Sequence, residues 1–221
     1  MRFSFRSSAV LAVAMLAFVA VAPAHSATFT WGAEGFGGFN THSMSDWNDQ
    51  IDLANANGSN FDNVKSGFSF GIGPYVMINN AWLISADYER VMPKKTDDSV
   101  SGQELDTSAN AFLISGGYLF PSQTPMHFGL AGGIGFYSQT GKISDPSQDF
   151  DFDGSGVGFH ILGLGEYDFS PMVAGALNVG YRSADIDLEK VNGQDASAAG
   201  ISADYSGLAL RVALKVHTTS H

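Results

Sequence analysis

The chain has 221 residues, with 11 Lys plus Arg against 22 Asp plus Glu, and no Cys. A net charge of −11 opposes a nucleic-acid partner, whose phosphates call for Lys and Arg. The missing cysteines exclude thiol catalysis, zinc–thiolate sites and disulfide frameworks together.

In chain order, the first feature is an address label. Arg2 and Arg6 precede an unbroken apolar run from Ala9 to Val21, 13 residues long, and small residues follow at Ala22-Pro23-Ala24 and Ala24-His25-Ser26. This predicts a secretory signal peptide over 1–26, cleaved after Ala24 or Ser26. The run is too short to span a bilayer, which takes about 20 residues. The mature domain is then 27–221, with 9 basic and 22 acidic residues, a net of −13.

From Thr28 onward the dominant period is two, the signature of strands. Eight segments carry it, at about 28–40, 64–78, 81–92, 108–120, 126–139, 155–169, 172–186 and 204–217. Their connections alternate between long (41–63, 93–107, 140–154, 187–203) and short (Asn79-Asn80, Pro121 to Pro125, Ser170-Pro171). That rhythm belongs to an up-and-down meander with tight turns at one end and loops at the other. The acidic residues concentrate in the long connections.

The first long connection predicts a short amphipathic helix near Met44 to Asn55. Ser43 to Asp46 reads as a capping box, and Trp47, Ile51 and Ala54 share a face. The stretch 140–154 reads as an acidic loop in which Asp149, Asp151 and Asp153 are weak candidates for a divalent cation. Its spacing is not that of an EF-hand, so no metal centre is assigned.

The two faces of the strands differ. One carries Phe, Ile, Leu and Val; the other carries Gly, Ala and Ser with a few charges. Leu83, Leu113, Leu162 and Leu164 break this pattern. The second face is too poor in charge to be a solvated surface, yet suits the tight interior of a small barrel. Large apolar residues therefore face outward. Trp31, Trp82, Phe120, Phe128, Tyr167 and Phe169 fall near the short turns, and Tyr88, Phe136, Phe159 and Tyr181 nearer the loops. Two aromatic belts around an aliphatic band is the layout of a membrane barrel. The fold class expected is all-β: an eight-stranded antiparallel up-and-down transmembrane β-barrel.

On these features the mature chain resembles the small eight-stranded outer-membrane β-barrel proteins of Gram-negative bacteria, the OmpA/OmpX-like and OmpW-like group. The resemblance implies a place in the outer membrane, long loops extracellular and termini periplasmic. It implies outer-membrane lipid, lipopolysaccharide and the barrel-assembly machinery as partners. One departure is visible: such proteins often finish their last strand on an aromatic residue, whereas here Val216 is followed by His217-Thr-Thr-Ser-His221.

The inward register gathers Glu34, Asp87, Glu89, Glu166, Arg182, Arg211 and Lys215, with Glu34 and Arg211 expected to pair across the closing strands. A filled polar interior fits an eight-stranded barrel better than a wide pore does. Divalent cations at the acidic loops are a further candidate partner. His160 points inward with no Ser at a matching spacing, so catalysis is not expected, and no cofactor is implied. The leading reading is a non-catalytic barrel with a structural or surface-interaction role. The alternatives are a narrow channel or conduit for small or hydrophobic solutes, supported by the four inward leucines, and a soluble periplasmic ligand-binding barrel.

Overall fold

The computed structural model describes residues 27–93, 95–97, 104–144, 149–197 and 200–218; the expected signal peptide lies outside them. Alternating side chains build eight long strands: β1 (Phe29–Thr41), β2 (Ser66–Ile78), β3 (Trp82–Pro93), β4 (Glu104–Leu119), β5 (Met126–Ser144), β6 (Asp149–Ser170), β7 (Val173–Val191) and β8 (Gly207–His217). Each pairs antiparallel with the next, and β8 closes on β1 from Gly32 opposite His217 to Asn40 opposite Ala209. The ring leaves no free edge through the barrel wall, which is what a bilayer demands of strands.

The tight turns follow from residues that tolerate positive φ. Asn79 and Asn80 sit at φ 54 and 52 and join β2 to β3. In the wall, Pro74 has no N–H to give, and the β2–β3 ladder lapses between Ile72 opposite Tyr88 and Tyr75 opposite Ser85.

Three of the long connections are shorter than the sequence reading expects. The stretch 140–154 is mostly strand: β5 and β6 stay paired out to Ser144 opposite Asp149. On β7 the pairing with β6 reaches Val191 opposite Phe152. Asn192-Gly193, at φ 50 and 74, then turns the chain back so that Gln194–Asp195 pairs on Lys190–Val191. Ser202–Asp204 adds to β7 and Thr96–Asp97 to β4. Strands β4 to β7 therefore rise as a curved wall beyond the other four.

Helix α1 (Ser45–Ala56) lies in the expected connection, but the capping box does not form. Its N-cap is Met44, in a left-handed conformation without a side-chain cap. Asp46 instead accepts from the backbone N–H and hydroxyl of Ser202. Asn48 fixes the segment by donating to the carbonyls of Ser43 and Val64 and accepting from the Val64 N–H. Trp47 packs on Phe152 with ring centroids 5.0 Å apart.

Outside, the wall exposes Trp31, Ile72 and Val212 at 62, 64 and 63%. A soluble barrel would put such residues inside, so the wall is built for hydrocarbon. Inside, the core is layered. Towards the short turns, Tyr75, Met77, Leu83, Leu119, Ala131, Leu162 and Leu164 form one apolar cluster. Towards the raised wall, Val91, Leu113, Phe152, Ile186 and Tyr205 form another, closed by Met44 and Ile51 of the α1 segment. Polar residues fill the level between.

Candidate functional site

The polar level is organised around Glu89. Its carboxylate Oε2 accepts from Arg182 at 2.5 Å and from Arg211 at 2.9 Å. Strand β3 stands across the ring from β7 and three strands from β8, so these bonds tie opposite walls together. Glu89 is fully buried, and the two arginines nearly so. Such charges are tolerated only in mutual contact, because an isolated one is very costly away from water. Each guanidinium also lies near an inward ring: Arg211 is 4.9 Å from the Phe36 centroid and Arg182 is 5.8 Å from that of Tyr137.

A second pair lies nearer the short turns. Lys215 donates to Glu166 at 2.6 Å, and stands 4.0 Å from Glu34 and 5.0 Å above the Tyr75 ring. The expected Glu34–Arg211 pair is therefore absent. In the β1–β8 register Glu34 faces Lys215, while Arg211 faces Gly38 and turns inward to Glu89. The stagger of the closing strands, not height along the chain, decides who meets whom. Asp87 accepts from Ser85 Oγ at 2.9 Å and forms no ion pair among the described residues.

His160 does have a serine neighbour: Ser115 Oγ lies 2.9 Å from its Nε2. The two sit on β4 and β6, a juxtaposition no sequence spacing announces. The pair is buried within the lumen, between the apolar layers, and His160 Nδ1 has no hydrogen-bond partner to orient it. The nucleophile–base–orienter sequence of a hydrolase is not assembled among these residues.

The short-turn mouth is a cavity of about 250 Å³, lined by Thr30, Met77, Leu119, His127, Glu166 and His217 among others. His127 Nε2 lies 3.0 Å from Asp168 Oδ2, and Tyr75 OH is 2.9 Å from His217 Nδ1. Above this cavity lies the lower apolar layer.

At the other end, Asp149, Asp151 and Asp153 occupy alternate positions along one strand. Alternate residues are spaced by about 6.6 Å, so the outer two stand about 13 Å apart along the strand, too far for all three to reach one cation at the 2.3–2.6 Å typical of calcium. Lys142 binds Asp149 at 2.6 Å and faces Asp151, and Lys190 faces Asp153. That contact holds the Asp149 carboxyl below its usual range. Among the described residues no group of three His, Asp or Glu is placed to hold a metal. Asp185, directly opposite Asp204, is raised by partial burial and then by Asp204, Asp187 and Asp46.

The aromatic residues lie outward in two girdles. Near the short turns, Trp31, Phe128 and Phe120 accompany the edge-to-face pairs Trp82–Tyr118 and Tyr167–Phe169. On the far side are Tyr88, Phe136, Phe159 and Tyr181, with the Tyr88 hydroxyl donating to Asn110.

Residues 9–215 match the outer membrane protein beta-barrel domain family. No curated protein matches the chain. Solved structures share its fold. A major outer membrane protein from Thermus thermophilus is 10% identical, with a TM-score of 0.56, covering 88% of this chain and all of its own. Ail, the attachment invasion locus protein of Yersinia pestis, solved with the heparin analogue sucrose octasulfate, is 10% identical, TM-score 0.50, covering 86% and 99%. Neisserial surface protein A is 19% identical, TM-score 0.48, covering 87% and 99%.

Proposed function

Because the chain belongs to the outer membrane protein beta-barrel domain family, we propose that it is a non-catalytic outer-membrane barrel acting through its rim and wall, not its lumen. The observation that carries this reading is the filled interior: two apolar layers enclose an ion-paired one, and α1 lies over the mouth. The soluble-barrel alternative is set aside, because the exposed wall is apolar and the family is an outer-membrane one.

The raised end of β4 to β7 faces the exterior, and the short turns with both described termini face the periplasm. The aromatic girdles meet outer-membrane lipid. The barrel-assembly machinery inserts the chain. The rim engages its surroundings electrostatically. Its outward positions hold Asp151, Asp185, Asp187 and Glu189, with Asp153 half-buried beside them, against Lys142 and Lys190. This sign disfavours polyanions such as the heparin analogue bound to Ail. It favours cationic surfaces, or divalent cations bridging to lipopolysaccharide phosphates.

A second reading, a conduit for hydrophobic solutes, draws on inward Leu83, Leu162 and Leu164. These pack into one cluster with Tyr75, Met77, Leu119 and Ala131, which supports a seal over a conduit.

The native chain has no cysteine, so single thiols report topology cleanly. On intact cells, a membrane-impermeant thiol reagent should label Asp187→Cys and spare Ser122→Cys. The reverse pattern would place the acidic rim in the periplasm and end this proposal.

A further inference from the structure

The segment 42–65 is a stopper, and its base contains an ionisable group. Three successive backbone N–H groups fix its base: His42 donates to Lys65 O and closes the segment on itself, while Ser43 to Ser206 O and Met44 to Asp204 O anchor it to the barrel. Met44, buried at 2% exposure, then reverses the chain at φ 45, a conformation disfavoured for a residue with a Cβ. Beneath the stopper lie Val91, Leu113, Tyr137 and Ile186. The closed state holds His42 at 5% exposure, its ring edge-on to Tyr205 at 5.3 Å. Neither ring nitrogen forms a well-made hydrogen bond; the Tyr205 backbone gives only a weak polar contact.

We propose that His42 makes this stopper acid-labile: protonating its imidazole releases α1 from the mouth and uncovers the apolar chamber beneath. The surroundings of the ring support this. Arg182 on β7 faces it with like charge. The facing acids are Glu89 on β3, already committed to two guanidiniums, and Asp204 on the short strand beside β7. Tyr205 stays neutral, since burial pushes its phenol up. Loss of solvent first, then Arg182, pulls His42 down from 6.5 to about 4.

The direction follows from linkage. The open segment, with an ordinary imidazole, binds more protons than the closed one between pH 6.5 and about 4. Closure is therefore at full strength above that window and weakens as pH falls through it, by up to about tenfold per unit.

The test uses Ile51→Cys, whose thiol is reachable only when α1 lifts, in the full chain refolded into lipid. Labelling is compared with that of the same protein also carrying His42→Gln, at about pH 7.5 and about pH 5. Dividing the two rates at each pH removes the thiol's own titration and that of groups that titrate independently of His42. The His42 protein should gain roughly ten- to thirtyfold over H42Q on acidification. Heat-modifiable gel mobility checks that the barrel stays folded. An unchanged ratio, or no labelling at either pH, overturns the proposal.

Discussion

Glu89 serves two arginines with one oxygen, so its loss and theirs are unequal. Glu89→Ala leaves two buried guanidiniums facing each other without a counter-charge and should cost about 3–5 kcal/mol. Arg211→Ala leaves the Glu89–Arg182 contact standing and should cost less. Urea midpoints of the lipid-reconstituted barrel read both, and an equal or reversed order would contradict the bridging role. Glycines give a second contrast. A Cβ at Gly71 would lie 2.3 Å from the Phe36 ring and 2.6 Å from the Tyr88 carbonyl. Gly71→Ala should therefore destabilise by about 1–3 kcal/mol. Gly35 faces outward with nothing within 4 Å. Gly35→Ala should be neutral or stabilising by about 0.5 kcal/mol. Similar losses at both positions would refute this assignment of faces. Period-two alternation was enough to turn all seven charged residues inward. It could not name partners, because neighbours across a lumen come from strands two to four places apart, set by stagger. Ser115 beside His160 was hidden for the same reason.

At the scale of elements, α1 is held less by its own caps than by what it covers. Asn48→Ala leaves the Ser43 and Val64 carbonyls and the Val64 N–H without their partner and should loosen the segment by about 1–3 kcal/mol. Protease cleavage within 43–65 should rise while heat-modifiable mobility stays unchanged. Unaltered cleavage would show that Asn48 does not hold the stopper. The helix was legible from Trp47, Ile51 and Ala54; its cap was not. Ser43 and Asp46 had the spacing of a box, but Ser202, distant in sequence, takes Asp46. The raised wall was more legible than the reading allowed. Phe150 and Phe152 alternate with Asp149, Asp151 and Asp153 at period two, and Asn192-Gly193 is a strong hairpin signal. Acidity suggested a loop there, although paired lysines let acids stand on a strand.

For the molecule as a whole, strand number and closure came from alternation and from connections that swing between short and long. The seal did not. Leu83, Leu113, Leu162 and Leu164 looked like lapses in the pattern, yet they build the two apolar layers: Leu113 belongs to the upper, the other three to the lower. An eight-stranded lumen has little room beyond its own side chains, and here the layers above and below the ion pairs use it. A function through rim and wall rests on that closure. Ion conductance across a planar lipid bilayer at neutral pH tests it most directly. Fully inserted, heat-modifiable protein should leave the bilayer silent; reproducible unitary current steps would show that the lumen is open.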